Sequence, residues 1–149
     1  MEIVFNGVYQ LVVPVHGSQT LASMCPDLIK LKLLNLRLGV QTTDVFTTDS
    51  INDDCICYSR HFSPAMGMWE DLGSGAGGSS IAAYMLRHGV ITPRAAVMEQ
   101  GPEADKLSRV HVDVRETSGH AIAVQVGGLA VTSMTRSATI QDNDEIVVT

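Results

Sequence analysis

Residues 70–89 read EDLGSGAGGSSIAAYMLRHG and join an acidic pair to a glycine-rich turn and a short apolar segment. Glycine adopts backbone conformations that other residues avoid, so such a turn can bring several free N–H groups together at the start of a helix. The helix dipole adds roughly half a positive charge there, which favours a bound carboxylate or phosphate. Residues 81–86 have no polar stripe, which predicts a helix enclosed by the fold and a glycine turn that opens into the middle of the protein.

The composition predicts one globular domain over residues 1–149. Hydrophobic residues make up 45% and charged residues 17% of the 149 positions, so the chain can bury a core of its own. The acidic tail, residues 141–149, is expected to be loose beyond the last strand. The longest apolar run is far shorter than the ~20 residues of a membrane span, and no secretory signal is visible. A cytoplasmic protein that does not enter a membrane is therefore expected.

The charge and the cysteines limit the partners. The net charge is -6 and no cluster of Lys or Arg is present, so nucleic acid is not expected as a partner, whereas a small anion is. Cys55 and Cys57 lie two apart in an expected strand and would share one face. Reduced structural thiols are the first interpretation, with a metal site and a redox role as alternatives, but a lone C-x-C lacks the usual zinc spacing. No metal and no cofactor are expected.

The pattern of strands and helices indicates an α+β fold. Alternation predicts strands over 8–13, 40–48, 55–62, 95–99, 109–116, 120–126 and 129–140. Ser18 is expected to cap a helix over 19–24, and Pro26 to open another that ends at Gly39 and carries a stripe of Leu28, Leu31, Leu34 and Leu38. Seven or eight strands and one apolar helix over 79–88 together predict a strongly curved sheet or barrel wrapped around that helix.

The glycine turn itself has two interpretations. It could be a flexible loop in which Asp71 or Ser74 only caps the helix. It could also bind a zwitterion, because a carboxylate beside a nest of N–H donors suits a ligand with both an amine and a carboxylate. The turn does not match a dinucleotide-binding fingerprint or a P-loop. The five histidines are scattered and are interpreted as surface or structural residues, and no serine has the surroundings of a hydrolase nucleophile.

Several short motifs occur in a recognisable order: SRHFSP at 59–64, GMWED at 67–71, GSGA at 73–76, YMLRHG at 84–89, EQG at 99–101 and GGLAV at 127–131. Together they resemble the C-terminal half of the phenazine-biosynthesis PhzF-like family, in the diaminopimelate epimerase-like superfamily. The family pattern is similar to R-x-F-x-P, G-x-x-E-D-P-x-T-G-S-A, E-Q-G and a late G-G-x-A-V. The resemblance implies two similar halves, each a barrel around a helix, with the active site where the two helix N-termini face each other.

The resemblance also implies roles for individual residues. Asp71 corresponds to a supporting acid of the site. The backbone amides expected to hold the substrate carboxylate are those of Gly73, Ser74, Gly75, Ala76 and Gly77. Leu72, Ser74 and Ala76 stand where the family has proline, threonine and serine, so the loop keeps its backbone chemistry and loses a hydroxyl. The family's catalytic glutamate lies in the N-terminal half, and no residue here, Glu70 included, takes its place.

Two functions follow as hypotheses. In the first, the chain is half of an isomerase or epimerase site for a small amino- or hydroxy-acid, completed by a second copy or by a separate N-terminal half. In the second, it is a truncated or remnant domain that performs no chemistry and binds a metabolite or a protein. In either case a surface made to face another half should be apolar, so a homodimer is the expected assembly. A shortened version of a longer gene product is a further alternative.

Overall fold

The computed structural model describes residues 1–103, 105–116, 122–132, 134–135, 138–140 and 146–148. Within these ranges the helices are α1 (Ser18–Ala22), α2 (Leu28–Leu38) and α3 (Gly75–Arg87), and a single 3-10 turn covers Pro64–Met66. The strands are β1 (Glu2–Phe5), β2 (Tyr9–Pro14), β3 (Thr42–Thr47), β4 (Tyr58–Ser63), β5 (Met68–Asp71), β6 (Arg94–Gln100), β7 (Ser108–Glu116), β8 (Ile122–Gly127), β9 (Ala138–Ile140) and β10 (Ile146–Val148).

Eight of the strands form one strongly curled sheet. Its order is β1-β2-β3-β4-β6-β7-β8, and β5 pairs with β4 beside this path. The β2–β3 and β4–β6 pairs are parallel, whereas the other pairs in this sheet are antiparallel. Strands β9 and β10 form a separate antiparallel pair. The α+β class with a curled sheet, predicted from the pattern, is confirmed.

Helix α3 lies against the inner face of this sheet. Ile81 and Ala82 are 0% exposed and Met85 is 1% exposed, and they pack in one cluster with inward-facing residues such as Phe46 and Met98. Burial of a side chain of this size contributes about 1.5–3 kcal/mol. The prediction of an enclosed apolar helix is therefore confirmed, although the helix begins at Gly75, four residues before the expected start at 79.

The short helices cover the opposite, outer face of the sheet. A second apolar cluster joins Leu21 of α1 to Val45, Tyr58 and Phe62 of the strands. Helix α2 begins after Asp27, whose side chain accepts a hydrogen bond from the Lys30 N–H, and ends at Gly39 with a φ of 69°.

The predicted leucine stripe of α2 is wrong at its C-terminal end. Leu34 and Leu38 are 43% and 44% exposed, whereas Leu28 and Leu31 pack on the outer cluster. Asn35 takes the buried position near the end of the helix, where its side-chain oxygen accepts from the Thr43 hydroxyl at 2.8 Å. A polar partner on β3 therefore decides which side of the last turn faces the sheet.

Other expected boundaries also need correction. Ser18 does not cap α1: the N-cap is Gly17, and both the amide and the hydroxyl of Ser18 donate to Asp49 Oδ2. The expected strand over 129–140 is absent from residues 129–132 and 134–135, and only 138–140 form a strand. Strands β1, β5 and β10 were not predicted, and β10 lies in the tail that was expected to be loose. Residues 117–121, where one predicted strand was to begin, lie outside the described residues.

Cys55 and Cys57 are buried, and Cys57 belongs to the core cluster around α3. Cys55 and Cys57 precede β4 instead of lying within it, both are buried, and neither forms a disulfide. Burial raises the pKa of the Cys55 thiol to about 11, and burial also raises the pKa of Cys57. Within the described ranges no group of three or more His, Cys, Asp or Glu residues could hold a metal ion. In the same part of the chain, no helix is long and apolar enough to cross a membrane.

Candidate functional site

The N-terminus of α3 is capped by Ser74, the residue that directly precedes the helix. Ser74 is the N-cap: its hydroxyl accepts from the Gly77 N–H at 3.0 Å, and its carbonyl accepts from the Gly78 N–H at 3.0 Å. The Ser74 N–H donates to the side-chain oxygen of Gln100, at the end of β6. Asp71 Oδ1 accepts from the Gly73 N–H at 3.1 Å. The capping interpretation of Ser74 is therefore confirmed, and the amides of Gly73, Ser74 and Gly77 already have partners within the protein.

Two amides of the expected set remain available. In the part of the chain that the structure describes, the N–H groups of Gly75 and Ala76 have no hydrogen-bond partner. They belong to the first turn of α3, where the helix itself cannot satisfy them. The side-chain nitrogen of Gln100 is also buried and lacks a partner among the described residues, and Gln100 is 1% exposed. Unused donors therefore collect at the beginning of this helix.

A cleft of about 730 Å³ opens beside the glycine turn. Gly73 and Gly75 form one wall, and residues 108–111 and 126–129 form the others. Gly73 and Ala76 are exposed, so the turn lies at the protein surface. The expectation that it opens into the middle of the fold is wrong, because only the helix after it enters the interior. Arg109 at the cleft is paired with Asp54, and this guanidinium lowers the pKa of the Asp54 carboxyl.

The glycines of the turn act through their size. None of Gly73, Gly75, Gly77 and Gly78 has a positive φ, so the expected need for unusual backbone conformations is wrong. A Cβ at Gly77 would lie 2.6 Å from both Asp44 Oδ1 and His61 Nδ1, and one at Gly78 would lie 2.7 Å from Val110 Cγ1. The absence of side chains at these two positions lets the first turn of α3 lie directly on β3, β4 and β7.

The two acidic residues before the turn have different surroundings. Glu70 accepts from Arg60 Nε and Nη2, at 2.8 Å each, on the outer face of the sheet. Arg60 also donates to the carbonyls of Leu21 and Met24. The two-point ion pair with Arg60 therefore gives Glu70 a structural role. Asp71 pairs in register with His61 and belongs to the opposite, inner face, on which α3 lies. The alternation of the strand thus separates a structural acid from the candidate site acid.

A buried polar cluster beneath α3 was missed by the sequence analysis. His61 Nδ1 lies 2.5 Å from Asp44 Oδ1, and the Ser80 hydroxyl lies 2.9 Å from Asp44 Oδ2. Asp44 and Ser80 are 0% exposed, and the His61 side chain is 5% exposed. The sequence did contain a signal for this cluster: the buried strands TTDVFT and YSRHFS each place a polar residue, Asp44 or His61, on the inner face. The partners are 17 and 36 positions apart in sequence, so the strand register brings Asp44 to His61 and the packing of α3 on the sheet brings Ser80 to Asp44.

A strongly curled sheet with few helices is an architecture shared with solved PhzF-family proteins. Residues 1–136 match the family described as phenazine biosynthesis-like protein (PhzC-PhzF), and the chain belongs to this family. A Bacillus anthracis phenazine biosynthesis protein of the PhzF family superimposes with a TM-score of 0.71 and 21% identity, over 80% of this chain and 42% of that one. At this identity the structural likeness shows the fold alone.

The curated relatives are longer than this chain. A Bacillus subtilis (strain 168) protein named uncharacterized isomerase YfhB is 30% identical over 139 residues, which are 91% of this chain and 47% of the relative. A Clostridium acetobutylicum protein named uncharacterized isomerase CA_C3446 is 24% identical over 88% of this chain and 45% of its own length. The chain therefore spans about half the length of the curated relatives that it matches.

Proposed function

We propose that the chain forms one half of a carboxylate-binding isomerase site, which a second copy or a complementary N-terminal half completes. The observation that carries this proposal is the pair of amides without partners among the described residues, those of Gly75 and Ala76 in the first turn of α3. Donors at a helix N-terminus favour an anion, and a cleft of about 730 Å³ beside them is large enough for a small amino- or hydroxy-acid.

Asp71 is proposed to bind the amine of the ligand. Its Oδ1 accepts from Gly73 and thereby closes the turn, and the carboxylate has further lone pairs available for an ammonium group. The amine of an amino acid would then donate to Asp71, and its carboxylate would accept from the free backbone amides. The curated relatives that are named as isomerases support isomerisation as the reaction class. The facing half is expected to contribute a further acid–base group to the complete site, and the substrate is proposed only as a class.

The Asp71→Asn substitution tests this recognition. We expect the affinity for L-alanine to fall by about tenfold to a hundredfold, because a charge-assisted hydrogen bond contributes about 1.5–3 kcal/mol. Affinity for acetate, which has no amine, should fall much less. Isothermal calorimetry with both probes measures the difference, and Asp27→Asn, an exposed acid at the start of α2 on the outer side of the sheet, is the control. Equal losses for the two probes would make Asp71 a structural residue of the turn.

Exposed apolar residues at the mouth of the cleft support association at this face. Leu72 is 55%, Val126 is 42% and Leu129 is 101% exposed, and Val126 and Leu129 line the cleft itself. Contact between apolar surfaces removes them from water at ~25 cal/mol per Å². A second copy, or a complementary half, seated here would cover the glycine turn and exclude water from the bound ligand.

Sedimentation at micromolar concentration tests the assembly. We expect wild-type protein to sediment as a homodimer and Leu129→Asp to sediment as a monomer, because a charge would be buried without a partner at the interface. Leu33→Asp is the matched control, since Leu33 is also exposed, at 57%, but lies on α2. Wild-type protein that remains a monomer would contradict the homodimer, and a complementary polypeptide that co-purifies would replace it.

The second candidate is a binding module without catalysis. It is favoured by one observation: three of the five expected amides, those of Gly73, Ser74 and Gly77, are used within the protein. Such a module would bind a small carboxylate and leave its carbon-bound protons unchanged. Deuterium incorporation from heavy water into a bound unsaturated carboxylate distinguishes the two candidates, since only the isomerase exchanges these protons.

A further inference from the structure

Asp44, His61 and Ser80 form a cluster of buried polar side chains between the sheet and α3. Asp44 projects from β3 and His61 from β4, while Ser80 belongs to α3. Burial of a carboxylate and an imidazole is costly unless each is paired, and here Asp44 uses both oxygens, one toward His61 and one toward Ser80. The hydroxyl of Ser80 also lies 2.9 Å from the Gly77 carbonyl, which ties the cluster to the first turn of the helix.

The cluster fixes the orientation and the tautomer of the imidazole. An ionised carboxylate only accepts hydrogen bonds, so the contact with Asp44 places the ring proton on Nδ1. Nε2 then carries the lone pair of the neutral ring. This nitrogen has no hydrogen-bond partner in the described part of the chain, and the His61 side chain as a whole is 5% exposed. A nearly buried histidine is thus held through one nitrogen, and its other nitrogen is left unpaired.

His61 is a neighbour of two elements of the candidate site, strand β5 and helix α3. In register across the sheet, Asp44 of β3 pairs with His61, and His61 pairs with Asp71 of β5, so these side chains share the inner face. Helix α3 packs against His61 at Gly77, so closely that a Cβ at Gly77 would be 2.6 Å from His61 Nδ1. The free amides of Gly75 and Ala76 belong to the same helical turn, whose pitch is about 5.4 Å.

We propose that His61 is a catalytic residue of this site, which exchanges a proton with the bound carboxylate ligand through Nε2, and that Asp44 is its positioning residue. This inference rests on the proposed isomerase function. It assigns to this chain a proton-transferring group of its own, beside the amides that would hold the ligand carboxylate. The charged and titratable groups that face the ring are Asp44 on β3 and Asp71 on β5, and α3 contributes Ser80 and the positive end of its dipole.

The proposed step needs no co-reactant. For the probe 3-butenoate, Nε2 takes the proton from C2, and the electron pair of that C–H bond forms the C2=C3 double bond. The C3=C4 π pair moves onto C4, which takes a proton back from the N–H formed at Nε2. The product is 2-butenoate, and the imidazole is neutral again. Atoms and charge balance, and the reaction is an isomerisation.

The first test is made on wild-type protein, so it does not depend on the folding of a variant. Acetate is titrated while nitrogen NMR records the histidine side chains and the backbone amides. We expect His61 to be protonated at Nδ1, and its Nε2 signal to move along the same saturation curve as the Gly75 and Ala76 amides. Movement of the amides without His61 would overturn this inference and leave the proposed function intact. No movement of either would overturn the proposed function and the inference with it.

The second test measures proton transfer. In heavy water with 3-butenoate, we expect wild-type protein, in the assembly that it forms, to incorporate deuterium, and His61→Gln to do so about 10²–10⁴-fold more slowly. Asp44→Asn should shift the ring proton toward Nε2 in the NMR spectrum, a change that a purely structural role would not produce. His16→Gln is the matched control, because His16 is exposed and remote from the turn. Equal rates for wild-type and His61→Gln, or no incorporation while the probe saturates the loop amides, would overturn the inference.

Discussion

Arg60→Ala should lower the free energy of unfolding by about 3–5 kcal/mol, which is the cost of removing one partner from a buried ion pair. The Arg60 side chain is 7% exposed and that of Glu70 is 17% exposed, and the two meet through a pair of 2.8 Å hydrogen bonds. Arg60 also donates to the carbonyls of Leu21 and Met24, and thereby fastens the end of α1 to β4. The substitution leaves the Glu70 carboxylate and the Met24 carbonyl without the Arg60 donor, whereas the Leu21 carbonyl still accepts from the Met24 N–H. Urea unfolding measures the loss.

Arg115→Ala provides the matched comparison. Arg115 also pairs with a carboxylate, that of Asp113, but its side chain is 70% exposed and both residues lie on β7. Solvent screens such a pair, so its removal should not change the urea midpoint measurably. A double variant, Arg60→Met with Glu70→Leu, should recover much of the stability lost in Arg60→Ala, because it removes the unpaired charge. Arg60→Ala protein as stable as Arg115→Ala protein would refute the structural role of this pair.

Gly77→Ala should lower the free energy of unfolding by about 2–4 kcal/mol, although alanine favours a helix over glycine by about 0.8–1.0 kcal/mol. The new methyl group would lie 2.6 Å from both Asp44 Oδ1 and His61 Nδ1. These two atoms are themselves 2.5 Å apart in a buried pair, so neither has room to move away. Either α3 rises from the sheet or the pair separates, and both responses cost stability. Chemical denaturation measures the change.

Gly127→Ala separates this steric effect from the general effect of replacing glycine. Gly127 has no positive φ, and a Cβ there would meet nothing within 4 Å. Its replacement should change the free energy of unfolding by no more than about 0.5 kcal/mol, as for surface substitutions in general. A Gly77→Ala protein that is as stable as Gly127→Ala would mean that the helix can shift without loss.

Much of the fold follows from local sequence because the apolar pattern is strong where the core is. The run 81–86 predicted the enclosed helix, and Gly39 predicted the end of α2. Strand β1 had an unused signal, since Asn6-Gly7 is a typical hairpin turn and Gly7 has a φ of 111°. The expected strand over 129–140 failed because alternation alone does not supply a neighbouring strand with which to pair.

The site was harder to predict than the fold. The glycine turn and Asp71 stand out in the sequence because they are contiguous, whereas Asp44, His61 and Ser80 come from three separate elements. A lone histidine in a strand gives no indication of its partner across the sheet. Likewise, the role of Gly77 depends on how closely the helix approaches β3 and β4, which is a property of packing. Local sequence therefore indicates donors and turns, and tertiary register decides which side chains they meet.

The N-terminal hairpin, formed by β1 and β2, is anchored to a residue that is synthesised much later than the hairpin itself. Asn6 and Gln10 both donate to the carbonyl of Ala76, 70 and 66 positions further along the chain. At ribosomal rates, this carbonyl emerges roughly 3–14 seconds after the hairpin has been made. During that interval Val4 and Val12, which belong to or pack against the core cluster around α3 in the folded protein, have no helix to cover them. The nascent hairpin therefore exposes apolar surface to which chaperones bind.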